Sequence, residues 1–439
     1  MNQVNGFNQF GLHTDLLKAL NELNFQKPTQ IQQDAIPHAM KGSDVLACAM
    51  TGSGKTAAFV LPVLERLRGK PRGSTRALIV TPTRELAAQI VEHFAALAKH
   101  TRLRAAAVYG GVGMKPQEDA LRRGVDVVVA TPGRLLDHIR QGTTNFKALE
   151  VLVLDEADRM LDMGFLPDIR RIMQALPATP RQTLFFSATM PAPIVELSRE
   201  ILRTPVMLNV KRQSTPASGI TQALYPVNGG LKTELLIELL RRDEIGNAIV
   251  FTRTKHRANR LFEKLERAGI SANRIHGNRS QAQRTEALAG FKDGTYRVLV
   301  ATDIVARGID VTLLDHVINF DVPHTPEDYI HRIGRTARAE ATGDAFTFVS
   351  HEEEKEIRDI EKVLGKKVER RKLKDFDYNA TGQEKLEIPL AERIAAIRER
   401  KRGERVRAAE RAANPLPKRG QPHRRRRGAR AGGSRRRTA

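Results

Sequence analysis

The sequence predicts an α/β fold in two tandem domains, each a mostly parallel sheet with helices on both faces, and three observations carry that prediction. First, short apolar runs alternate with helical stretches: Val45–Cys48, Ala77–Val80, 125–130, Val151–Leu154 and 183–186 read as strands, and 84–98 and 167–175 as helices. These strands are apolar at nearly every position, as strands covered on both faces are. Second, residues 211–219 are polar and carry no periodicity, which suits a linker. Third, the alternation then restarts, with strands at 248–252, 297–301, 316–320 and 345–349 and helices at 255–268 and 281–291. The predicted organisation is a first domain over 1–210, the linker, a second domain over 220–378 and a tail over 379–439.

Leu12, Leu16, Leu17, Leu20 and Leu23 recur at helical spacing and predict an amphipathic helix at the amino end. Phe25 and the Pro28-Thr29 break follow, then a second helix from about Gln30. The 439-residue chain carries a formal net charge of +23. Residues 391–439 hold 18 Lys/Arg against 4 Asp/Glu, a net +14, and predict a disordered basic arm drawn to nucleic-acid phosphates. The arm has no aromatic residue, so base stacking is not its task. The single cysteine, Cys48, rules out an internal disulfide framework. The amino terminus lacks the basic and apolar regions of a secretory signal, and no apolar run approaches the ~20 residues of a membrane span. A soluble, cytoplasmic protein without a membrane partner is expected.

Two segments carry chemistry. Residues 45–48 lead into Ala49-Met50-Thr51-Gly52-Ser53-Gly54-Lys55-Thr56, a strand, a glycine-rich loop and a helix start. Such a loop turns backbone N–H groups toward phosphate oxygens, its lysine adds charge for the β and γ phosphates, and the threonine hydroxyl suits magnesium. Ala49 stands where the general pattern opens with glycine. The second segment is the strand Val151–Leu154, which ends abruptly at Asp155, Glu156 and Asp158. Ligands of open α/β sheets gather at the carboxyl ends of strands, and a divalent cation would offset carboxylates crowded there. Alone, these carboxylates fit a solvated turn equally well. Paired with the glycine-rich loop, they predict a nucleoside triphosphatase in which one element binds phosphates and the other holds the metal and orients water.

The second domain has no glycine-rich Lys-Thr loop. Its notable stretches are 301–310, Ala-Thr-Asp-Ile-Val-Ala-Arg-Gly-Ile-Asp, and 331–338, His-Arg-Ile-Gly-Arg-Thr-Ala-Arg. Arginines three apart share a helix face, and the first domain shows no arginine near Lys55. They are expected to act as arginine fingers across a cleft, each worth roughly 10³ to 10⁵ in rate, or about 4 to 7 kcal/mol of barrier.

From about Phe7 to Lys372 the chain resembles the DEAD-box RNA helicases, the bacterial RhlE type in particular. The resemblance rests on ordered motifs: Phe25 to Gln32, Ala49 to Thr56, Pro82-Thr83-Arg84-Glu85-Leu86, Gly110-Gly111, Thr131-Pro132-Gly133-Arg134, Asp155-Glu156-Ala157-Asp158, Ser187-Ala188-Thr189 and the two second-domain stretches. Ala49 is the family's usual residue, whereas Asn24 and Gln30 depart from its glycine and proline. The resemblance implies two RecA-like domains, ATP and Mg²⁺ as cofactors, and an adenine-recognition segment over 7–32. Gln32 would read the adenine edge, and Phe7 would stack on the ring in preference to Phe10. Thr51, Gly52, Ser53, Gly54, Lys55 and Thr56 would hold phosphates, Thr56 and Asp155 the hydrated magnesium, and Glu156 the attacking water. From the second domain Asp310 would contact the nucleotide, and Arg335 and Arg338 the γ phosphate. Ser187 and Thr189 would couple hydrolysis to the arrangement of the domains.

Single-stranded RNA and short duplexes are the implied partner, with weak sequence specificity and no DNA expected. Thr83, Arg84, Gly111, Thr131 and Arg134 would touch RNA from one domain, and Gln281, Arg284, Thr302 and Asp303 from the other. Donors of this kind address phosphates and 2′-hydroxyls rather than base edges. The implied activity is local, ATP-dependent unwinding and RNA or ribonucleoprotein remodelling in ribosome assembly or RNA turnover, with ribosomal precursors or RNA-decay proteins as company. The rival readings are an ATP-gated RNA clamp, a DNA translocase and an RNA annealer working through the arm.

Overall fold

The structure, a computed structural model, describes residues 6–49, 52–70, 73–178, 180–209, 219–303, 314–336 and 342–380. Thr51, Asp310, Arg338, residues 211–218 of the expected linker and the arm from 381 onward lie outside the described residues.

The first sheet contains β1 (Val45–Cys48), β2 (Ala77–Val80), β3 (Ala105–Val108), β4 (Val127–Ala130), β5 (Val151–Leu154), β6 (Gln182–Ser187) and β7 (Val206–Asn209). The second contains β8 (Ile220–Pro226), β9 (Ala248–Phe251), β10 (Ala272–Ile275), β11 (Val298–Ala301), β12 (His316–Asn319), β13 (Gly343–Val349) and β14 (Glu369–Arg370). Both are seven-stranded and parallel, with orders β3-β4-β2-β5-β6-β1-β7 and β10-β11-β9-β12-β13-β8-β14, the same topology twice.

The all-apolar strands are explained by what covers them. Val45, Ala47, Ile79, Val129 and Val153 point to a core shared with Phe59, Ile90 and Phe94, while Leu46, Leu78, Val128 and Leu152 point to a second core with Leu135, Ile169 and Phe185. Each fully buried Val, Leu, Ile or Phe contributes roughly 1.5–3 kcal/mol, so both faces must be closed. The second sheet repeats this, with Val250, Ile318 and Phe348 on one side and Ile249, Leu299 and Val317 on the other. The expected strands were found within a residue or two of their predicted ends. The apolar-run pattern does not predict β3 (Ala-Ala-Ala-Val) or β10 (Ala-Asn-Arg-Ile), because both are edge strands with small or polar residues.

Helix starts place the site. Thr29 caps helix Gln30–Met40 in a reciprocal box with Gln32. Gly54 precedes helix Lys55–Leu67, and the Thr83 hydroxyl accepts the Leu86 N–H to open helix Arg84–Leu97. The helix that carries Arg332 spans Pro326–Ile333 and ends at Gly334, so Arg335 lies beyond it and the two arginines do not share a helix face.

Candidate nucleotide and RNA site

The phosphate-loop residues lie at the carboxyl end of β1, next to β6 and one strand removed from β5 in the sheet order. Gly54 has φ +93°, and a Cβ there would stand 2.5 Å from Gln32 Nε2 and 2.8 Å from the Thr29 hydroxyl. Only glycine allows both that backbone and that approach. The Gln32 side chain accepts from the Thr29 N–H (2.9 Å) and donates to the Gly54 carbonyl (3.1 Å), so the expected adenine reader also grips the phosphate loop. Its amide still has one N–H and one lone pair to offer. Phe7 lies in the core, edge-on to Phe10 and stacked on Phe25 at 6.3 Å, and is only 1% exposed. As it stands it offers no open ring face to an adenine, whereas Phe10 and Phe25 keep accessible surface.

Lys55 is buried, and its ammonium donates to the Ala49 carbonyl at 3.0 Å. Burial pushes the Asp155 carboxyl up to about 7; nearby Lys55 pulls it down and Glu156 pushes it up further. Asp155 Oδ1 has no hydrogen-bond partner among the described residues. Glu156 sits in the left-handed region at φ 55° and ψ 51°, a conformation that costs of order 1–3 kcal/mol and persists where the surroundings impose it. One of its oxygens accepts from Arg159 NH1 at 2.5 Å. An arginine therefore does stand in the first domain's site, supplied one turn along by helix Ala157–Asp162.

Asp158, which the sequence offers only as one of three crowded carboxylates, is the hub of the segment that holds Ser187 and Thr189. Its Oδ2 accepts from the Ala188 N–H (3.1 Å), the Thr189 N–H (2.7 Å) and the Thr189 hydroxyl (2.9 Å). Its own N–H donates to Ser187 Oγ at 3.1 Å, and that hydroxyl donates to the Thr189 carbonyl at 2.7 Å. Burial works to raise the Asp158 carboxyl, yet Lys55, the Thr189 bonds and His331 of the second domain outweigh it and hold it below its ordinary value. The carboxylate strand, Ser187 and Thr189 thus form one bonded unit.

The expected RNA residues of the first domain gather at the ends of β2, β3 and β4. The Arg84 guanidinium lies over Gly111, whose φ is +81°, in space that any Cβ would occupy. Both terminal nitrogens of Arg134 donate to the Val112 carbonyl at 3.2 Å. Thr83 and Thr131 are the residues immediately before helices Arg84–Leu97 and Pro132–Arg140. In the second domain, the expected RNA residues have protein partners. Arg284 NH2 donates to Glu85 Oε2 at 2.7 Å and Gln281 Nε2 to Glu85 Oε1 at 3.2 Å, tying the two domains together across about half the chain's length. Gln281 Oε1 and Arg284 Nε are left without partners among the described residues. Asp303 receives a two-pronged bond from Arg332 at 2.6 and 2.8 Å, and Arg332 also donates to Asn319 and the Asp321 carbonyl. Asp303 therefore anchors a buried arginine. Thr302 donates its N–H to the Ile275 carbonyl. Arg335 is buried, with its Nε donating to the His331 carbonyl at 3.3 Å.

Glu85, Arg159, His331 and Arg332 lie within or beside the quoted motifs, yet their roles depend on partners that only folding supplies. This arrangement defines a two-domain, P-loop nucleoside triphosphatase whose second domain is hydrogen-bonded to the first.

The comparisons narrow the class. The DEAD/DEAH box helicase pattern matches residues 29–197, and the helicase conserved C-terminal domain matches 231–340. The DEAD-box ATP-dependent RNA helicase CshA of Geobacillus kaustophilus is 42% identical over 87% of this chain and 81% of its own length. That of Bacillus subtilis is 41% identical over 87% and 77%. Among solved structures, S. cerevisiae Dbp5 bound to RNA and ADP BeF3 superposes with a TM-score of 0.77 at 31% identity, covering 85% of this chain and 97% of that one. Mss116p bound to single-stranded RNA and AMP-PNP superposes at 0.76 with 27% identity, covering 84% and 79%. The chain belongs to the DEAD-box ATP-dependent RNA helicase family.

Proposed function

We propose that the protein uses ATP to close its two domains on single-stranded RNA and so unwinds short duplexes locally, without long-range translocation. The observation that carries this reading is the link between the domains beside the RNA loops, where Gln281 and Arg284 both donate to Glu85. RNA and ATP would each favour the closed arrangement, so each promotes the other's binding.

Gln32 selects adenine, with the Phe7–Phe10–Phe25 group supporting the ring. Residues 51–56 cradle the phosphates, and Lys55 leaves the Ala49 carbonyl for the γ phosphate. Thr56 and the partnerless oxygen of Asp155 fit magnesium, which takes one or two protein oxygens besides phosphates and water and would neutralise charge on the phosphates when bound. Glu156 orients the water, Arg335 and Arg338 stabilise the departing charge, and Asp310 contacts the nucleotide. Ser187 and Thr189, through Asp158, pass loss of phosphate to the interface. Thr83, Arg84, Gly111, Thr131 and Arg134 from the first domain, with Gln281, Arg284, Thr302 and Asp303 from the second, hold the RNA backbone. Within the family we favour the RhlE type, a cytoplasmic setting and work on ribosomal precursors or in RNA turnover. The relatives compared above carry the name CshA, and the basic arm is what separates this proposal from a bare catalytic core.

The test is steady-state ATP hydrolysis with no nucleic acid, with single-stranded RNA and with DNA of the same sequence, for wild type and Lys55→Ala. Stimulation by RNA alone, abolished by Lys55→Ala, is expected. Equal stimulation by DNA, or none by RNA, would overturn the reading.

A further inference from the structure

The first sheet ends at β3 on one side, and a groove runs along that edge apart from the ATP and RNA loops. The Arg104 carbonyl accepts from the Asp126 and Val127 N–H groups, and the Val108 carbonyl accepts from the Thr131 N–H, so these residues turn their backbone toward β4. Successive residues of a strand turn theirs to opposite sides. Ala105 and Ala107 therefore direct N–H and C=O out along the edge, where no hydrogen bond meets them among the described residues.

A cavity of about 560 Å³ lies along the start of this strand, lined by Ala105 and Ala106 of β3, by Val91, Ala95 and Ala98 of helix Arg84–Leu97 and by Ala120 of helix Met114–Arg122. The corresponding edge of the second sheet is treated differently. There β10 carries Asn273 and Arg274, and the Arg274 guanidinium lies 4.1 Å over the Phe262 ring. Charged and bulky residues protect an exposed edge against strand addition, and three consecutive alanines leave β3 without that protection.

The charge around the groove selects the occupant. Arg104 and Arg123 line it, and Arg102 and Arg122 are close to them in the chain. All four are exposed, and none is paired with a carboxylate among the described residues. An RNA backbone would meet these arginines but has no use for an apolar floor, and the aromatic ring in the lining, Phe94, is 1% exposed and closed to base stacking. The groove also opens at the start of β3, away from the strand ends that carry the ATP and RNA loops. We propose that it binds an extended segment of a partner protein that alternates small apolar residues with carboxylates. The segment adds as an eighth strand on β3, with its apolar side chains on the face of Ala105 and Ala107 and its carboxylates on the opposite face, which Arg102 and Arg104 share.

The test uses the full chain and a synthetic peptide alternating Glu and Val, against a peptide of the same composition with the Glu residues clustered. The basic arm attracts both alike, so the difference between them reports the groove. Amide hydrogen exchange over 103–109 should slow with the alternating peptide. Ala105→Pro removes one outward N–H while keeping an extended strand, and Arg104→Glu/Arg123→Glu reverses the rim. Each should weaken alternating-peptide binding about tenfold, the worth of one or two hydrogen bonds or ion pairs, while RNA-stimulated ATP hydrolysis stays at the wild-type rate. Equal binding of the two peptides without protection at 103–109 would overturn the proposal. So would protection of that segment by single-stranded RNA in place of the peptide.

Discussion

Arg284 can act on RNA directly or hold the domains together, and its contact with Glu85 makes the two roles separable. Both side chains are buried, at 6% and 4% exposure, and 2.7 Å separates their charged atoms. Burial pulls the Arg284 guanidinium below its ordinary value, with Glu85 opposing that shift. In an open arrangement both groups are solvated, so the bond counts only toward closure. A hydrogen bond between charged groups contributes about 1.5–3 kcal/mol net, and losing it should lower the closed population by about 10- to 150-fold. Arg284→Ala and Glu85→Ala should each weaken the apparent RNA affinity in RNA-stimulated hydrolysis by that order. The double variant should be no worse than either single one, giving a coupling energy of about 1.5–3 kcal/mol in a double-mutant cycle. Additive losses would refute the tie and return Arg284 to a purely RNA-facing role. A silent Glu85→Ala would do the same.

The Asp155 carboxyl, raised to about 7 by burial, must lose its proton to meet magnesium. Mg·ATP affinity should rise about tenfold per pH unit below 7 and level off above it, with proton release on binding near pH 6 measured by calorimetry in buffers of different ionisation enthalpy. Asp155→Asn should lose that release; equal release from both proteins would exclude Asp155 as its source. The same group sets a sign for the ligand-free protein. The folded state holds a proton that the unfolded state gives up, so this contribution to stability is full below about pH 4 and is lost as pH rises toward 7. Glu156→Gln should block hydrolysis while leaving ATP-dependent RNA binding intact, and a variant that still supports the cellular role would favour a clamp over a recycling helicase. Arg332→Ala strips Asp303 of its two-pronged partner. Because Asp303 is a quarter exposed, the loss should lie near about 3 kcal/mol, the low end for a buried pair. In thermal unfolding that is a fall of about 6–12 °C; an unchanged midpoint would show that the pair contributes nothing.

Much of this protein was legible in the chain. Val-Leu-Val-Leu before Asp155, and Val-Leu-Ala-Cys before the glycine-rich loop, announce strands covered on both faces, because only such strands are apolar throughout. The chemistry at their exits is local: glycines, Lys55 and Thr56 lie within one turn, and Asp155 and Glu156 are adjacent. What the sequence could not carry was any pairing across distance. Glu85 reads as a helix-start carboxylate until the fold brings Arg284 to it. Nothing local announces the Arg332 fork on Asp303, or the packing of Phe10 and Phe25 against Phe7. Asp158 reads as one more acid until three donors from Ala188 and Thr189 converge on it. The open edge at β3 is invisible for the opposite reason, since three alanines carry no pattern at all. Apolar periodicity records which side chains avoid water, and so it determined the strands and the layers. Partner choice among buried charges depends on which strand ends the sheet order sets side by side, and only the tertiary structure decided that.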